Sequence, residues 1–160
     1  MAMTAYMAVK GKNQGEIKGD CVQGGDKKDK ILVYGSDHQV EIPKDTHTGL
    51  PTGQRVHKPF TVTKHKDQAS PPLFKACCTG EQCEVTIDYY RIKADGTEEK
   101  YFTVKMESAI LVKMREYTPL TFLEENQPYH DMEEVSMTYS KITWTYNDGN
   151  IEYTDDWTSS

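Results

Sequence analysis

Residues 84–116 contain two neighbouring runs in which apolar and polar side chains alternate. In the first, Val85, Ile87 and Tyr89 alternate with Thr86, Asp88 and Tyr90. In the second, Phe102, Val104 and Met106 alternate with Thr103, Lys105 and Glu107. Successive side chains of an extended chain point to opposite faces, so period two marks a strand with one wet face and one core face. Asp95-Gly96 lies between the runs, and glycine accepts the positive φ that a tight turn needs. The pattern predicts a long β-hairpin. Its alternation fails at Ala109-Ile110-Leu111-Val112, where both faces turn apolar. A strand reads this way where it bulges or passes from one packed layer into another. Such a change of layer is typical of a barrel or sandwich, and the rest of the chain has to close around it.

The 160 residues have the length of one domain, and no repeat, low-complexity tract or composition break divides residues 1–160. The formal net charge is −6. A nucleic-acid binder normally presents a basic patch; the nearest approach is Lys58, Lys64 and Lys66 with neighbouring histidines, on an apparent strand, so no nucleic-acid partner is expected. No window approaches the roughly 20 apolar residues of a membrane span, so no membrane insertion is expected. The opening MAMTAYMAVKGK has no basic start followed by an apolar core and does not read as a secretory signal. Cys21, Cys77, Cys78 and Cys83 read as buried or free thiols in a reducing compartment.

Residues 4–9 read as a first strand, residues 16–18 as a short pairing segment, residues 31–34 as a second strand and residues 38–42 as a third. Lys27, Lys28, Asp29 and Lys30 form a solvated turn between them. Phe60 and Val62 against Thr61 and Thr63 resume the sheet. Residues 70–80 predict a short helix: Ser70 can cap its free backbone N–H groups, Pro71 and Pro72 suit the first turn, and Gly80 suits a left-handed stop. Leu73, Ala76 and Cys77, with Phe74 and Cys78 adjoining, form an apolar stripe that would plug or flank a barrel. Residues 118–131 are irregular. Residues 133–146 read as a long strand whose apolar parity changes near Ser140-Lys141, which calls for a bulge there. Asn147-Asp148-Gly149-Asn150 is a hairpin turn, residues 151–153 return, and residues 155–160 form a polar tail apart from Trp157.

Residues 43–58 stand apart. They carry two glycines, an internal proline and no apolar periodicity. Structureless loops beyond about 12–15 residues are commonly functional or disordered. Leu50, between Gly49 and Pro51, would be an exposed apolar tip, which favours a reaching arm ordered by a partner over a mobile loop.

Catalytic and metal signals are weak. Ser36, Asp37 and His38 are adjacent, so on a strand they cannot form a nucleophile–base–orienter relay, and Ser36 reads as a turn residue. No GxSxG, HExxH or phosphate-cradling glycine loop is present. Cys77, Cys78 and Cys83 with His57 and His65 lack the paired spacing that presets a zinc tetrahedron, so neither a metal nor another cofactor is expected. His47 and His57 read as loop residues. Glu124, Glu125, Asp131, Glu133 and Glu134 read as a solvated acidic rim in a chain with 25 acids.

The run His47-Thr48-Gly49-Leu50-Pro51-Thr52-Gly53-Gln54-Arg55-Val56-His57-Lys58-Pro59-Phe60 resembles the TG…TGxRxHxPF signature of the haemolysin-coregulated proteins (Hcp), the tube subunits of bacterial type VI secretion systems. Asp67 with Ser70-Pro71-Pro72-Leu73, Ala76 and Gly80 is similar to the family's helix; Tyr89-Tyr90-Arg91 with Tyr101-Phe102 is similar to its central hairpin. Residues 141–146, Asp148-Gly149-Asn150 and Asp155-Asp156-Trp157 resemble its C-terminal hairpin. The cysteine-bearing helix departs from the family pattern. The resemblance spans residues 5–157 and implies a compact, closed or nearly closed antiparallel β-barrel with one short flanking α-helix and the long extended loop at 43–58. It further implies a homo-hexameric ring, rings stacked into a tube inside a contractile sheath beneath a spike protein, and effector proteins carried in the lumen. The role implied is structural and chaperone-like, without catalysis. Such a protein is made in the cytoplasm and expelled by sheath contraction. His47, Thr48, Gly49, Leu50, Pro51, Thr52, Gly53 and Arg55 are the expected ring or stacking contact. The competing reading is a monomeric barrel that binds a peptide or sugar, for which the Tyr content is suited; a hydrolase or metalloenzyme has no usable constellation.

Overall fold

The computed structural model describes residues 3–157. Its strands, in chain order, are β1 (Ala5–Gly11), β2 (Gly15–Ile17), β3 (Ile31–Val33), β4 (Gly35–Asp37), β5 (Val40–Glu41), β6 (Val56–His57) and β7 (Phe60–His65). Helix α1 (Ser70–Thr79) follows, and then β8 (Gln82–Ile92), β9 (Glu98–Tyr117), β10 (Met132–Thr138), β11 (Lys141–Tyr146) and β12 (Ile151–Asp156). The predicted hairpin is β8–β9, joined by a turn in which Gly96 takes φ 88°. It forms the centre of a ten-stranded antiparallel sheet with the path β2-β1-β8-β9-β10-β7-β4. β3 pairs with β1 and β4 with β7, so one short run through Tyr34 joins the two sides of this path and nearly closes a barrel.

The failed alternation in β9 has a local cause. Ser108 adopts φ 52°, and the β8–β9 register shifts between Cys83 and Val85. The bulge turns the buried parity from Val104 and Met106 to Ala109 and Leu111. The strand thereby serves two pairings: residues 102–107 carry β11, and residues 110–117 carry β10. The expected long strand at 133–146 is accordingly two strands, β10 and β11, broken at Tyr139-Ser140 opposite Ser108, where the Ser140 N–H donates to the Glu107 carbonyl.

Met7, Ile31, Val62, Ile87, Met106 and Val135 fill the interior and are inaccessible to solvent. Leu73 and Ala76 join the same cluster from α1, with Ala69 just before it, so the helix is packed onto the barrel as its stripe required. Two details differ from expectation. Ser70 does not cap the helix: Ala69 occupies that position with no side-chain cap, and the Ser70 hydroxyl turns back to accept the Asp67 N–H. Cys78 and Phe74 face outward, and Cys77 is only partly covered. Gly80 stops the helix with φ 68°, as predicted.

Candidate interaction arm

Residues 38–42 are not one strand. β4 ends at Asp37, and β5 leaves the barrel to pair with β6 in a separate two-stranded sheet, Val40 opposite His57 and Glu41 opposite Val56. The long segment between them is ordered by backbone hydrogen bonds. Lys58 N–H donates to Gln39 O, Thr52 N–H to Pro43 O and Asp45 N–H to Leu50 O, and Lys44 bridges Pro51. The tip folds on itself: the Asp45 carboxylate accepts the His47 N–H at 2.7 Å, the Thr48 hydroxyl accepts the Leu50 N–H at 3.3 Å, and Gly49 and Gly53 take φ 72° and 89°. Glycine adopts that region without the Cβ clash other residues meet. The result is a hairpin arm whose Leu50 is 64% exposed, with Val40, Ile42 and Val56 also exposed.

Of the eight arm residues singled out by sequence, the structure brings seven together at the tip: His47, Thr48, Gly49, Leu50, Pro51, Thr52 and Gly53, all exposed. Arg55 is elsewhere. It lies at the base, where its Nε and Nη2 donate to the two oxygens of Asp155 at 2.6 and 2.8 Å. Planar bidentate pairing of this kind fixes orientation as well as proximity. Those bonds hold the Asp155 carboxyl below the usual carboxylate range, with a further contribution from His57.

His57 is a buried strand residue rather than a loop residue. Its Nε2 lies 2.7 Å from Asp155 Oδ2, its Nδ1 lies 2.7 Å from the Tyr139 hydroxyl, and its ring stacks on Trp157. The same hydroxyl is 2.6 Å from His38 Nε2. Trp157 donates its indole N–H to the Tyr139 carbonyl. Asp155, read in the sequence as the start of a polar tail, is thus on β12 and clasps the arm; residues 158–160 of that tail lie outside the described residues. Burial pushes the Tyr139 hydroxyl well above its usual range. Burial, and then the proximity of His57, lower the His38 imidazole. The sequence signal for this clasp was the Arg55-x-His57 pair itself; its partners come from more than 80 residues downstream, as the Tyr139 and Asp155 contacts show.

Ser36 is on β4, and its hydroxyl pairs with that of Tyr89 at 3.0 Å, so it is not a turn residue. Among the described residues no three His, Cys, Asp or Glu side chains group as a metal site requires. No helix among them is long and apolar enough to cross a membrane.

The model of the family described as "Type VI secretion system effector, Hcp" matches residues 6–146. The chain belongs to the Hcp family. It is 41% identical to the "Major exported protein" of Pseudomonas aeruginosa, over 99% of this chain and 98% of that one. Among solved structures, an Hcp protein superposes with a TM-score of 0.89 at 29% identity, covering 96% of this chain and 97% of the other. The secreted protein Hcp3 from Pseudomonas aeruginosa superposes with a TM-score of 0.80 at 37% identity, covering 98% and 99%. These likenesses make this a type VI secretion Hcp protein of the predicted barrel class, within a family of structural, secreted proteins.

Proposed function

We propose that this Hcp chain is a subunit of the type VI secretion inner tube. Six copies close a ring, rings stack inside a contractile sheath beneath a spike, and the lumen binds and chaperones effectors without catalysis. The protein is assembled in the cytoplasm and expelled when the sheath contracts. The observation that carries this reading is the arm: an ordered hairpin, clasped to the barrel at Arg55 and His57, that presents Leu50 to solvent, 64% exposed among the described residues. An ordered apolar tip is suited to a waiting partner surface, because little of its ordering cost remains for association to meet. A ring requires a heterologous contact repeated about an axis, and the arm with the open edge of β12 offers such a surface.

The competing monomeric ligand barrel requires an internal pocket, whereas the interior here is filled by Met7, Ile31, Leu73, Ile87 and Met106. Deleting residues 48–53 tests the arm. The expected result is a folded barrel with rings that no longer stack; intact tubes in electron micrographs of the deletion would remove the arm from the stacking contact.

A further inference from the structure

The clasp at the arm base has only one arrangement of hydrogens that satisfies it. Asp155 is ionised beside Arg55, so His57 Nε2 must carry the hydrogen that points at it. With His57 uncharged, its Nδ1 presents a lone pair and accepts the Tyr139 O–H. The Tyr139 oxygen then accepts from His38 Nε2–H. His38 Nδ1 is left as a lone pair, and it is the one buried side-chain nitrogen or oxygen among the described residues without a hydrogen-bond partner. Phe60 stacks on that imidazole at 5.0 Å between centroids and Trp144 meets it edge-on at 5.8 Å, so its surroundings offer rings and not acceptors.

Adding one proton breaks this scheme wherever the proton goes. On His38 it creates a buried Nδ1–H with no acceptor. On His57 Nδ1 it turns the Tyr139 hydroxyl from donor to acceptor. The hydroxyl hydrogen must then either point nowhere or pass to His38 Nε2, which forces the His38 hydrogen onto Nδ1. A buried donor left without an acceptor is destabilising.

We infer that the arm carries an acid release: the relay His38–Tyr139–His57–Asp155 fastens its base while uncharged, and a proton added to the relay unfastens it. The groups facing the relay are Asp37 beside His38 on the chain, Arg55 on the arm, Tyr139 from the break between β10 and β11, and Asp155 on β12; Phe60, Trp144 and Trp157 contribute uncharged rings. Asp37 favours a proton on His38, but burial and His57 outweigh it. A histidine held below its ordinary 6.5 binds its proton more weakly when folded, so its favourable contribution is complete above that value and is lost as the pH falls through the folded one. The consequence for stacking rests on the role given to the arm above; the release itself does not.

Hydrogen exchange of the full chain at about pH 7.5 and about pH 5, expressed as protection factors, reads the release directly. The Lys58 amide, which closes the arm base, is expected to lose protection by about tenfold or more, while β1 and β8 stay unchanged. His38→Gln keeps a donor for Tyr139, cannot titrate, and can turn its amide to accept the Tyr139 hydrogen if His57 gains a proton, so its arm is expected to change less than twofold. Nitrogen NMR of the unsubstituted chain gives a second readout: His38 is expected to carry its hydrogen on Nε2 at neutral pH. Unchanged protection at low pH, an equal loss in His38→Gln, or an Nδ1–H tautomer at neutral pH would each overturn the inference. Imaging at both pH values separates the two ideas, since an arm that opens in acid while tubes stay stacked leaves the release standing and removes the arm from stacking.

Discussion

Lys64 has no accessible surface, yet it is not an error in a core strand. Its Nζ donates to Glu133 and to the His65 carbonyl, both at 2.9 Å, and to the Ser70 hydroxyl at 3.2 Å, and it forms an ion pair with Asp67 at 2.9 Å. The cation therefore ties β7 to β10 and both to the first turn of α1. Its alternation with Val62 and Phe60 was visible in the sequence, and so was the basic reading of residues 58–66; that the lysine points inward was not, because its partners are 3 and 69 residues away. Lys64→Ala leaves the buried Glu133 without its counter-charge and is expected to cost about 3–5 kcal/mol. Urea unfolding measures it, and a loss under about 1 kcal/mol would mean that water replaces the lysine. The thiols differ in the same local way. Burial, with Glu81 adding to it, pushes the Cys83 thiol up to about 11, whereas Cys78 is exposed. Alkylation at neutral pH is expected to label Cys78 quickly and spare Cys83 and the buried Cys21 until the chain unfolds. Mass spectrometry of digests taken through the reaction distinguishes these, and early labelling of Cys83 would contradict the packing of β8 described here.

The β8–β9 hairpin, β7, the stop at Gly80 and the turn at Gly149 were all legible, because each is written in local period or in turn residues. The arm is legible in sequence as an exception, but as one ordered by a partner; the ladder that orders it belongs to its own backbone and leaves no hydrophobic period. The bulge at Ser108 shows in sequence as a break in alternation, and the change of parity near Ser140-Lys141 marks the place where 133–146 divides, although it is a break between β10 and β11 and not a bulge within one strand. Nothing local marks Asp155 as the arm's anchor. Asp155→Asn is therefore the informative substitution for the arm as an element. It removes the charge that orients Arg55 and His57 and is expected to loosen residues 39–58 while changing the unfolding midpoint of the barrel little. Amide exchange mapped along the chain checks this, and equal loosening of β1 and β10 would show that the clasp supports the barrel as well.

At the scale of the whole molecule, the filled interior and the uncovered outside set each other off. Solvent is excluded from the barrel's centre, whereas Leu50 on the arm, Phe122 in the loop before β10, and Ile151 and Tyr153 on β12 are more than half exposed. These side chains lie at separate places on the outside, and the proposed assembly would cover them at more than one surface. The Hcp family membership gives that surplus a destination in the stacked rings proposed above. The account's central claim is the assembly itself, and the native mass of the purified full-length chain, followed by negative-stain imaging of the same sample, tests it most directly. The account predicts a mass six times that of the chain and annular particles that lose their end-to-end contacts when residues 48–53 are removed. A monomer at micromolar concentration that stays monomeric beside sheath and spike proteins would contradict it.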